Sequence, residues 1–303
     1  MLKAAREIKK LFPVKEHKEI MFNIINGDWF AVNNKITIQK NSASIVPVAG
    51  SLKEFIDKGD THLYQNQPFK MFYPRNRVFS NKLNPIDLRL FTPFIDTRSP
   101  KQELRYILLN ATPTFTNVVA TDTRVLIKYD IFNEVSIVNK TKILIPLFIA
   151  KLGYIEEIYS DEKAVKYHVK AYKGGDIYTI TWDISNITMS YPNYERIIPH
   201  TPEHITTIDI KGFATLKATP LKTDHGSNIL RFSASGSKDI TITDKYESFN
   251  ITPITPLDGT LKGNIYLLPK HIKRLKGNFD IKKTEYVLML KDQNFTILSA
   301  FED

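Results

Sequence analysis

The chain has 303 residues, of which 42% are hydrophobic and 24% charged, and it contains no cysteine. That length and composition indicate a folded protein of two or three domains, and the lack of cysteine excludes disulfides and thiolate metal sites. The formal net charge of +10 favours a polyanionic partner, most often nucleic acid, although a lysine-rich proteome would give the same excess. No apolar run approaches the roughly 20 residues of a membrane span, and the N-terminus has no signal-peptide core. We therefore expect a soluble, cytoplasmic protein without a membrane partner.

The first predicted element is an amphipathic helix in residues 2–12, with apolar side chains at helical spacing on one face and basic ones on the other. The apolar face consists of Ala4, Ala5, Ile8, Leu11 and Phe12, and the basic face of Lys3, Arg6 and Lys10. Pro13 ends the helix. Strand and turn patterns follow, with the hairpin-favouring pair Asn26-Gly27 between two strands.

Three copies of one pattern organise the chain: a strand, a proline, a short helix and a glycine. The copies are built on Pro47 and Gly59, on Pro146 and Gly153, and on Pro269 and Gly277. The proline can end a strand and begin a helix because its φ is near the helical value and it lacks the N–H that a first helical turn leaves unpaired. The glycine supplies a left-handed stop. The spacing of roughly 100 to 120 residues is typical of a repeated domain and too long for a solenoid repeat.

These patterns predict an α+β fold with three repeated domains, each containing two helices, over residues 1–83, 84–203 and 204–303. The first domain is the shortest. We expect a helix in residues 86–96, kinked or shortened by Pro93, to open the second domain. Another helix is expected through residues 211–219 of the third.

The sequence offers no convincing active site. It contains neither GxxxxGK[ST] nor GxGxxG, so phosphate and dinucleotide fingerprints are missing. His200 and His204 have the i, i+4 spacing of a zinc pair, but Pro202 argues against the helix that would present both to one ion. Asp122 has no evident partner for acid–base chemistry, and residues 173–176 are typical of a hairpin turn. We therefore expect a protein that is not an enzyme and that uses no cofactor or metal.

Several predicted helices carry a basic polar face. If equivalent helices lie on one side of the molecule, these side chains form a continuous surface that suits phosphates without reading bases; for any one of them, a solvated helix face is the alternative. The candidate DNA-binding residues are Lys3, Arg6, Lys10, Arg89, Lys151, Lys211, Lys217, Lys270, Lys273 and Arg274. The second helix of the first domain is an exception, because Glu54 and Asp57 offset Lys53 and Lys58.

Two phrases resemble the bacterial replicative sliding clamp, the β subunit of DNA polymerase III. Residues 120–126, ATDTRVL, resemble its ATDGHRL turn, and residues 191–199, YPNYERIIP, resemble its FPDYRRVLP segment. Residues 105–110, RYILLN, are similar to the RYYLNG strand that precedes the turn in that family. The similarity is good over residues 84–200, holds in outline over 205–303 and is weak over 1–83.

The resemblance implies a ring of clamp domains: two copies of a three-domain chain joined head to tail, with helices lining a hole around duplex DNA and antiparallel sheets outside. Such clamps have no catalytic activity. They tether a DNA polymerase, and bind partners such as the clamp loader, through a short linear motif that docks in an apolar groove between the middle and last domains. Carried over position by position, this groove consists of Leu108, Thr121, Thr123, Leu126, Pro192, Ile197, Thr296 and Leu298. Leu108, Leu126 and Ile197 would suit a protein core equally well.

The chain departs from the family pattern in three ways. Thr123-Arg124-Val125 stands where the family has Gly-His-Arg, and Phe301-Glu302-Asp303 where it has Met-Pro-Met with a basic residue nearby. The net charge is basic where family members are commonly acidic. These departures and the short first domain point to a phage, plasmid or other mobile element as the source. The alternative function is a clamp-fold adaptor or decoy that binds a host polymerase or clamp loader without encircling DNA.

Overall fold

The computed structural model describes residues 2–12, 20–25, 28–32, 36–41, 48–51, 53, 56, 76–80, 86–112, 115–132, 141–160, 166–173, 176–183, 190–223, 227–234, 239–258 and 260–302. Over these residues the protein is α+β, with few helices and mostly antiparallel sheets, which confirms the predicted fold class. The helices are α1 (Leu2–Lys9), α2 (Leu147–Ala150), α3 (Ile210–Ala214) and α4 (Pro269–Ile272). Short 3-10 helices cover Leu88–Leu90, Thr92–Phe94, Gln102–Arg105 and Tyr194–Ile197.

The strands, in chain order, are β1 (Met21–Ile25), β2 (Asp28–Val32), β3 (Ile36–Asn41), β4 (Val48–Ser51), β5 (Asn76–Ser80), β6 (Ile86–Asp87), β7 (Tyr106–Ala111), β8 (Phe115–Thr121), β9 (Val125–Phe132), β10 (Thr141–Pro146), β11 (Tyr154–Ser160), β12 (Lys166–Lys173), β13 (Asp176–Asp183), β14 (Glu203–Asp209), β15 (Leu221–Lys222), β16 (Asn228–Ala234), β17 (Ile240–Thr243), β18 (Ser248–Ile251), β19 (Leu261–Ile265), β20 (Asn278–Lys283), β21 (Val287–Lys291) and β22 (Phe295–Glu302).

The chain forms two compact units. The first comprises Met1–Arg89, Ala111–Thr116 and Phe132–Met189, and the second Leu90–Asn110, Asn117–Ile131 and Ser190–Asp303. Both units draw on separate stretches of sequence, and the division into three domains stays a prediction. No helix in the described part of the chain is long and apolar enough to cross a membrane.

The first unit contains a sheet in the order β4-β1-β2-β3-β13-β12-β11-β5, with β6 also paired to β11. Lys173 lies opposite Asp176 in the β12–β13 register, which confirms the hairpin predicted there. The face of α1 that carries Ala5 and Ile8 is fully buried, and Leu11 and Phe12 are buried just beyond the end of the helix. The amphipathic pattern of this segment is therefore confirmed for the side chains that the structure describes; those of Lys3 and Ala4 lie outside them.

The second unit contains strands in the order β7-β8-β9-β22-β19-β16-β17-β18. A second ladder, β14-β20-β21, joins the other side of β22. The strand β22 therefore belongs to both ladders: Phe295–Ser299 pairs with β9, Thr296–Ala300 with β21, and Phe301–Glu302 with β19. Large apolar side chains such as Phe91, Phe94, Phe213 and Phe279 are buried in the core of this unit.

Two copies of the proline–glycine pattern are confirmed. Pro146 ends β10 and precedes α2, and Gly153 follows with φ of 108°. Pro269 is the first residue of α4, and Gly277 follows with φ of 100°. A Cβ at Gly153 would lie 3.2 Å from the guanidinium of Arg89, so glycine is also required there by a close approach. Pro47 and Gly59, on which the first copy is built, lie outside the described residues.

Three predicted helices are shorter than their sequences indicate. The helix predicted over residues 2–12 ends at Lys9. Residues 86–96 form β6 and two 3-10 helices, because Pro93 has no N–H with which to continue an α-helix. The helix α3 ends at Ala214, where Thr215 directs both its backbone N–H and its hydroxyl to the carbonyl of Lys211. Lys217 therefore follows the helix instead of lying on it.

His271 fixes the start of α4. Its Nδ1 accepts the N–H of Leu268 at 2.9 Å, and its ring lies 5.3 Å from that of Phe94, centroid to centroid. Burial, together with the nearby charge of Lys270, lowers the pKa of His271 to about 3. The imidazole is therefore neutral at physiological pH and serves as a structural hydrogen-bond acceptor.

We expect this histidine to make stability depend on pH. Its folded pKa is below the unfolded value of about 6.5, so the unfolded state binds more protons between those values and stability falls as pH decreases below 6.5. The slope contributed by one such group is about 1.4 kcal/mol per pH unit. In urea unfolding at pH 7 and pH 5, His271→Gln should therefore lose about 2 kcal/mol less stability than the unmodified protein on acidification. Equal losses in the two proteins would contradict this prediction.

Candidate nucleic-acid and peptide interfaces

The turn between β8 and β9 is fastened by its own side chains. The carboxylate of Asp122 accepts the N–H groups of Arg124 and Val125, both at 2.9 Å. The hydroxyl of Thr121 accepts the N–H of Thr123 at 3.0 Å and donates to the carbonyl of Val125 at 2.8 Å. Thr123 has φ of 82° and is the only non-glycine among the described residues with positive φ. Thr123 stands where the resembling ATDGHRL phrase has glycine. This chain therefore keeps the turn, although the side chain of Thr123 is sterically strained at this positive φ.

Arg124 is held near the end of β22 by contacts of its side chain and its backbone. Its guanidinium donates to the hydroxyl of Ser227 and lies 5.1 Å from the centre of the Tyr266 ring. The Tyr266 hydroxyl in turn donates to the carboxylate of Glu302 at 2.6 Å, and the backbone carbonyl of Arg124 accepts the N–H of Ala300 at 2.8 Å. A guanidinium over an aromatic face gains about 0.5–1 kcal/mol at an exposed site. Arg124 is thus held beside the turn with its side chain still exposed.

The segment from Tyr191 to Ile198 is anchored by its two tyrosines. The Tyr194 hydroxyl accepts from the amide of Asn110 at 3.1 Å and donates to the side-chain oxygen of Asn117 at 3.3 Å. The Tyr191 hydroxyl donates to the carbonyl of Val119. Burial raises the pKa of both phenols, so they stay neutral hydrogen-bonding groups.

The eight predicted groove residues all belong to the second unit, and they divide into two groups. Five are buried: Leu108, Thr121, Leu126, Thr296 and Leu298. Three are exposed: Thr123, Pro192 and Ile197. The β9–β22 register places Leu126 directly opposite Leu298, and Thr121 and Thr123 lie in the turn before Leu126.

The five buried residues suit a protein core as well as they suit a binding groove. Leu108 and Leu126 are each 1% exposed, and a folded protein buries such side chains without any ligand. Ile197 is different, because 51% of it is exposed while its segment is held in place by the buried tyrosines. The apolar surface that could meet a partner therefore centres on Pro192 and Ile197.

Five of the predicted DNA-binding residues lie on or beside two helices of the second unit. The helices α3 and α4 contact each other, so their basic side chains share one region. These residues, all exposed, are Lys211, Lys217, Lys270, Lys273 and Arg274. In the described part of the chain, none of the five has an ion-pair partner.

The remaining basic candidates belong to the first unit. Arg6, Lys10 and Lys151 are exposed. Arg89 differs from them, because both its Nε and Nη2 lie 2.7 Å from the carboxylate of Asp87. This hydrogen bonding raises the pKa of Arg89, and its guanidinium also lies 5.1 Å from the Tyr154 ring centre. Its charge is offset within the fold.

The residues considered for catalysis or metal binding have other surroundings. Asp122 caps the β8–β9 turn, as described above. His200 is exposed, and His204 lies on β14 with its Nε2 3.8 Å from Asp280. Among the residues that the structure describes, no three His, Cys, Asp or Glu side chains cluster as metal ligands would.

Sequence reasoning missed the partners that hold these surfaces in place. Tyr266, Ser227 and Asn117 come from distant parts of the chain, and no spacing rule joins them to Arg124 or Tyr194. An asparagine within a strand as apolar as β8 is the one available signal, because a buried amide requires a hydrogen-bonding partner.

The fold matches solved bacterial clamps over the whole chain. A Helicobacter pylori beta clamp in complex with diflunisal has a TM-score of 0.72 at 15% identity, covering 100% of this chain and 97% of that one. A Helicobacter pylori beta clamp bound to a DNA ligase peptide has a TM-score of 0.70 at 15% identity with the same coverage. The DNA polymerase sliding clamp of Bacillus subtilis has a TM-score of 0.70 at 13% identity, covering 100% and 96%. No protein-family model and no curated protein matches the chain.

The positive φ of Thr123 predicts a stabilising substitution. Thr123→Gly should raise the free energy of unfolding by about 1 kcal/mol, because glycine adopts this conformation without the clash that a β-branched residue suffers. Thr97→Gly, in an exposed turn with negative φ, is the control and should lose about 0.5–1 kcal/mol. Chemical denaturation measures both, and a loss of stability in Thr123→Gly would show that the turn is not strained.

Proposed function

We propose that this protein is a sliding clamp: a ring that encircles duplex DNA and holds a replicative DNA polymerase on it, without catalysing a reaction. The observation that carries this proposal is the match over 100% of the chain to solved structures described as beta clamps and DNA polymerase sliding clamps.

The DNA-facing surface in this proposal includes the region of α3 and α4. Its five exposed cations have no carboxylate partner in the described part of the chain. They attract phosphates electrostatically, and such contacts carry no sequence information. Exposed side chains on and beside short helices also exchange phosphate partners readily, which suits movement along the duplex. Arg6, Lys10 and Lys151 would extend this surface in the first unit, whereas Arg89 contributes less because Asp87 offsets its charge.

The partner surface in this proposal centres on Ile197 and Pro192, in the segment that Tyr191 and Tyr194 anchor to β7 and β8. One of the similar structures is described as bound to a DNA ligase peptide, which supports peptide binding as the mode of partner recognition. An extended peptide with apolar anchors gains affinity by covering an exposed apolar side chain on a rigid support. We propose that the polymerase and the clamp loader reach this chain through short linear motifs that dock here.

The assembly in this proposal is a cytoplasmic homodimer in which each chain supplies three domains, over residues 1–83, 84–203 and 204–303. A closed ring of two chains leaves no unpaired sheet edges at the subunit contacts. The alternative is a clamp-fold adaptor or decoy that binds a polymerase or loader without DNA. The two functions differ in whether the α3–α4 cations matter for DNA association. A mobile-element source stays a prediction.

Reversing the charge of Lys270, Lys273 and Arg274 to Glu tests the DNA-facing surface. Association with duplex DNA should weaken by at least about tenfold, and the slope of log K against log salt should fall by about one for each lost phosphate contact. Lys101, Lys245 and Lys291, which are equally exposed but lie outside the two helices, provide a matched triple control. Fluorescence anisotropy across a salt series measures both. If the two triple variants behave alike, the encircling function is wrong and the adaptor is favoured.

Ile197→Glu tests the partner surface. The probe is a labelled DNA ligase peptide of the kind bound by the Helicobacter pylori clamp, and its affinity should fall by at least about tenfold, or 1.4 kcal/mol. Ile254→Glu is the control, since Ile254 is 53% exposed and Ile197 is 51% exposed in the same unit. Equal peptide affinities for the two variants would show that Ile197 is not part of the peptide site. Unchanged melting temperatures would exclude misfolding as the cause of any loss of affinity.

A further inference from the structure

A cationic cleft lies on the sheet face formed by β16, β17 and β19. The antiparallel register places Arg231 opposite both Asn264 and Thr243, and Ser233 opposite Lys262. Because side chains alternate along a strand, these residues share one face, while Leu230, Phe232 and Ala234 are buried on the other. Arg231 and Lys262 are therefore diagonal neighbours on adjacent strands.

The cleft has a volume of about 720 Å³, within the range of roughly 300–1,000 Å³ typical of small-molecule sites. Among the described residues, its lining includes three cations, Arg231, Lys262 and Lys283, and no carboxylate. The hydroxyls of Ser233 and Thr243 and the amide of Asn264 also line it. This combination of charge and hydrogen-bond donors suits a phosphoryl group.

Of the three cations, Lys283 already has polar partners within the fold. The Lys283 ammonium donates to the carbonyl of Thr260 at 2.6 Å and lies 3.6 Å from the carboxylate of Glu203. Among the described residues, the side chains of Arg231 and Lys262 have no hydrogen-bond or ion-pair partner. Diagonal neighbours on adjacent strands have Cα atoms about 7–8 Å apart, within reach of long side chains. Both cations can therefore converge on one anion, which would relieve their mutual repulsion.

The sheet beneath the cleft is rigid where β19 meets β22. A Cβ at Gly263 would lie 2.6 Å from the Phe301 ring and 2.7 Å from the carbonyl oxygen of Glu302, so glycine allows β22 to lie directly against β19. Phe301 is 5% exposed and cannot swing away without opening the core. Gly263 lies opposite Phe232 and Phe301 opposite Ile265, so this contact is on the buried face of the sheet and holds in place the strand that carries Lys262 and Asn264 on the other face.

Acidic residues limit the cleft on the side of Lys283. The neighbouring depression, of about 420 Å³, is lined by Glu203 and Glu285 and shares Lys283 and Phe301 with the cleft. A long polyanion that continued in this direction would meet two carboxylates. The charges therefore favour a compact anion over an extended acidic peptide or a nucleic-acid strand.

We propose that this cleft binds a small phosphorylated molecule through Arg231 and Lys262, with Ser233, Thr243 and Asn264 as further hydrogen-bonding groups. The cleft is distinct from the α3–α4 cations and from the Ile197 surface. It therefore stands apart from the proposed clamp function, and neither depends on the other. Arg231 supplies a planar fork for two phosphoryl oxygens, and Lys262 a point charge for the same or an adjacent group.

Isothermal titration calorimetry of the full chain with inorganic pyrophosphate tests this site by measuring the binding affinity and stoichiometry. We expect one saturable site per chain, and a double variant, R231Q with K262Q, should weaken binding by at least tenfold. K245Q with K291Q, which changes two exposed lysines outside the cleft, should bind within twofold of the unmodified protein. Each single variant is also titrated, so that the site is still tested if the double variant fails to fold.

Competition separates the possible sources of the phosphoryl group. Pyrophosphate binding that resists a short duplex but yields to a nucleoside triphosphate supports a small-molecule ligand. Displacement by duplex DNA at the same variants would overturn that assignment and make the cleft a nucleic-acid contact. No saturable binding, or equal losses in the cleft and control variants, would overturn the proposal altogether.

Discussion

The second unit depends on the hydrogen bonding of one strand, β22. Its residues pair with β9 on one side and with β21 on the other, and its last two residues pair with β19. Because both ladders meet on this strand, the turn that holds Thr123, the anchor of Arg124 and the sheet beneath the cationic cleft are positioned by a single element. Ser299 strengthens the junction, since its hydroxyl accepts the backbone N–H groups of Tyr266 and Leu267 at 2.9 and 3.1 Å. The approach of β22 to β19 also requires Gly263, where any side chain would meet Phe301.

The two candidate binding regions of this unit are built in different ways. The Ile197 surface is an exposed apolar residue on a short 3-10 helix. The buried Tyr194 fixes its position through Asn110 and Asn117, and Tyr191 through the carbonyl of Val119. The α3–α4 region presents charges on and beside short helices, and among the described residues no ion-pair partner restrains them. A rigid apolar support suits selective recognition of a peptide, whereas unrestrained cations suit a uniform polyanion.

Much of the fold could be predicted from local sequence patterns. Pro146 and Pro269 mark strand-to-helix junctions through a property of one residue, and the buried Ala5 and Ile8 follow from helical spacing. The clamp fold itself came from the resemblance of residues 120–126 and 191–199 to family phrases, and the structural matches bear it out. The sequence predicted that Pro93 would shorten or kink a helix, but not that residues 88–90 and 92–94 would form 3-10 helices. The end of α3 was less predictable, because it depends on the hydrogen bonds of the single residue Thr215. For the candidate site, the sequence could not separate buried from exposed residues. Leu126 and Ile197 are both apolar residues in family-like phrases, yet Leu126 is 1% and Ile197 51% exposed. The stacking of Arg124 on Tyr266 required the tertiary structure, since the two residues are distant in sequence.

The pairing of β9 with β22 also affects how the protein is made. Roughly 170 residues separate the paired segments Val125–Tyr129 and Phe295–Ser299, so at 5–20 residues per second translation of the intervening chain takes on the order of ten to thirty seconds. During that time the edge of β9, which carries the apolar residues Leu126 and Ile127, has no native partner. An unpaired apolar edge is a template for pairing with other chains, so the nascent protein is most vulnerable to aggregation over this interval and is a natural client for ribosome-associated chaperones.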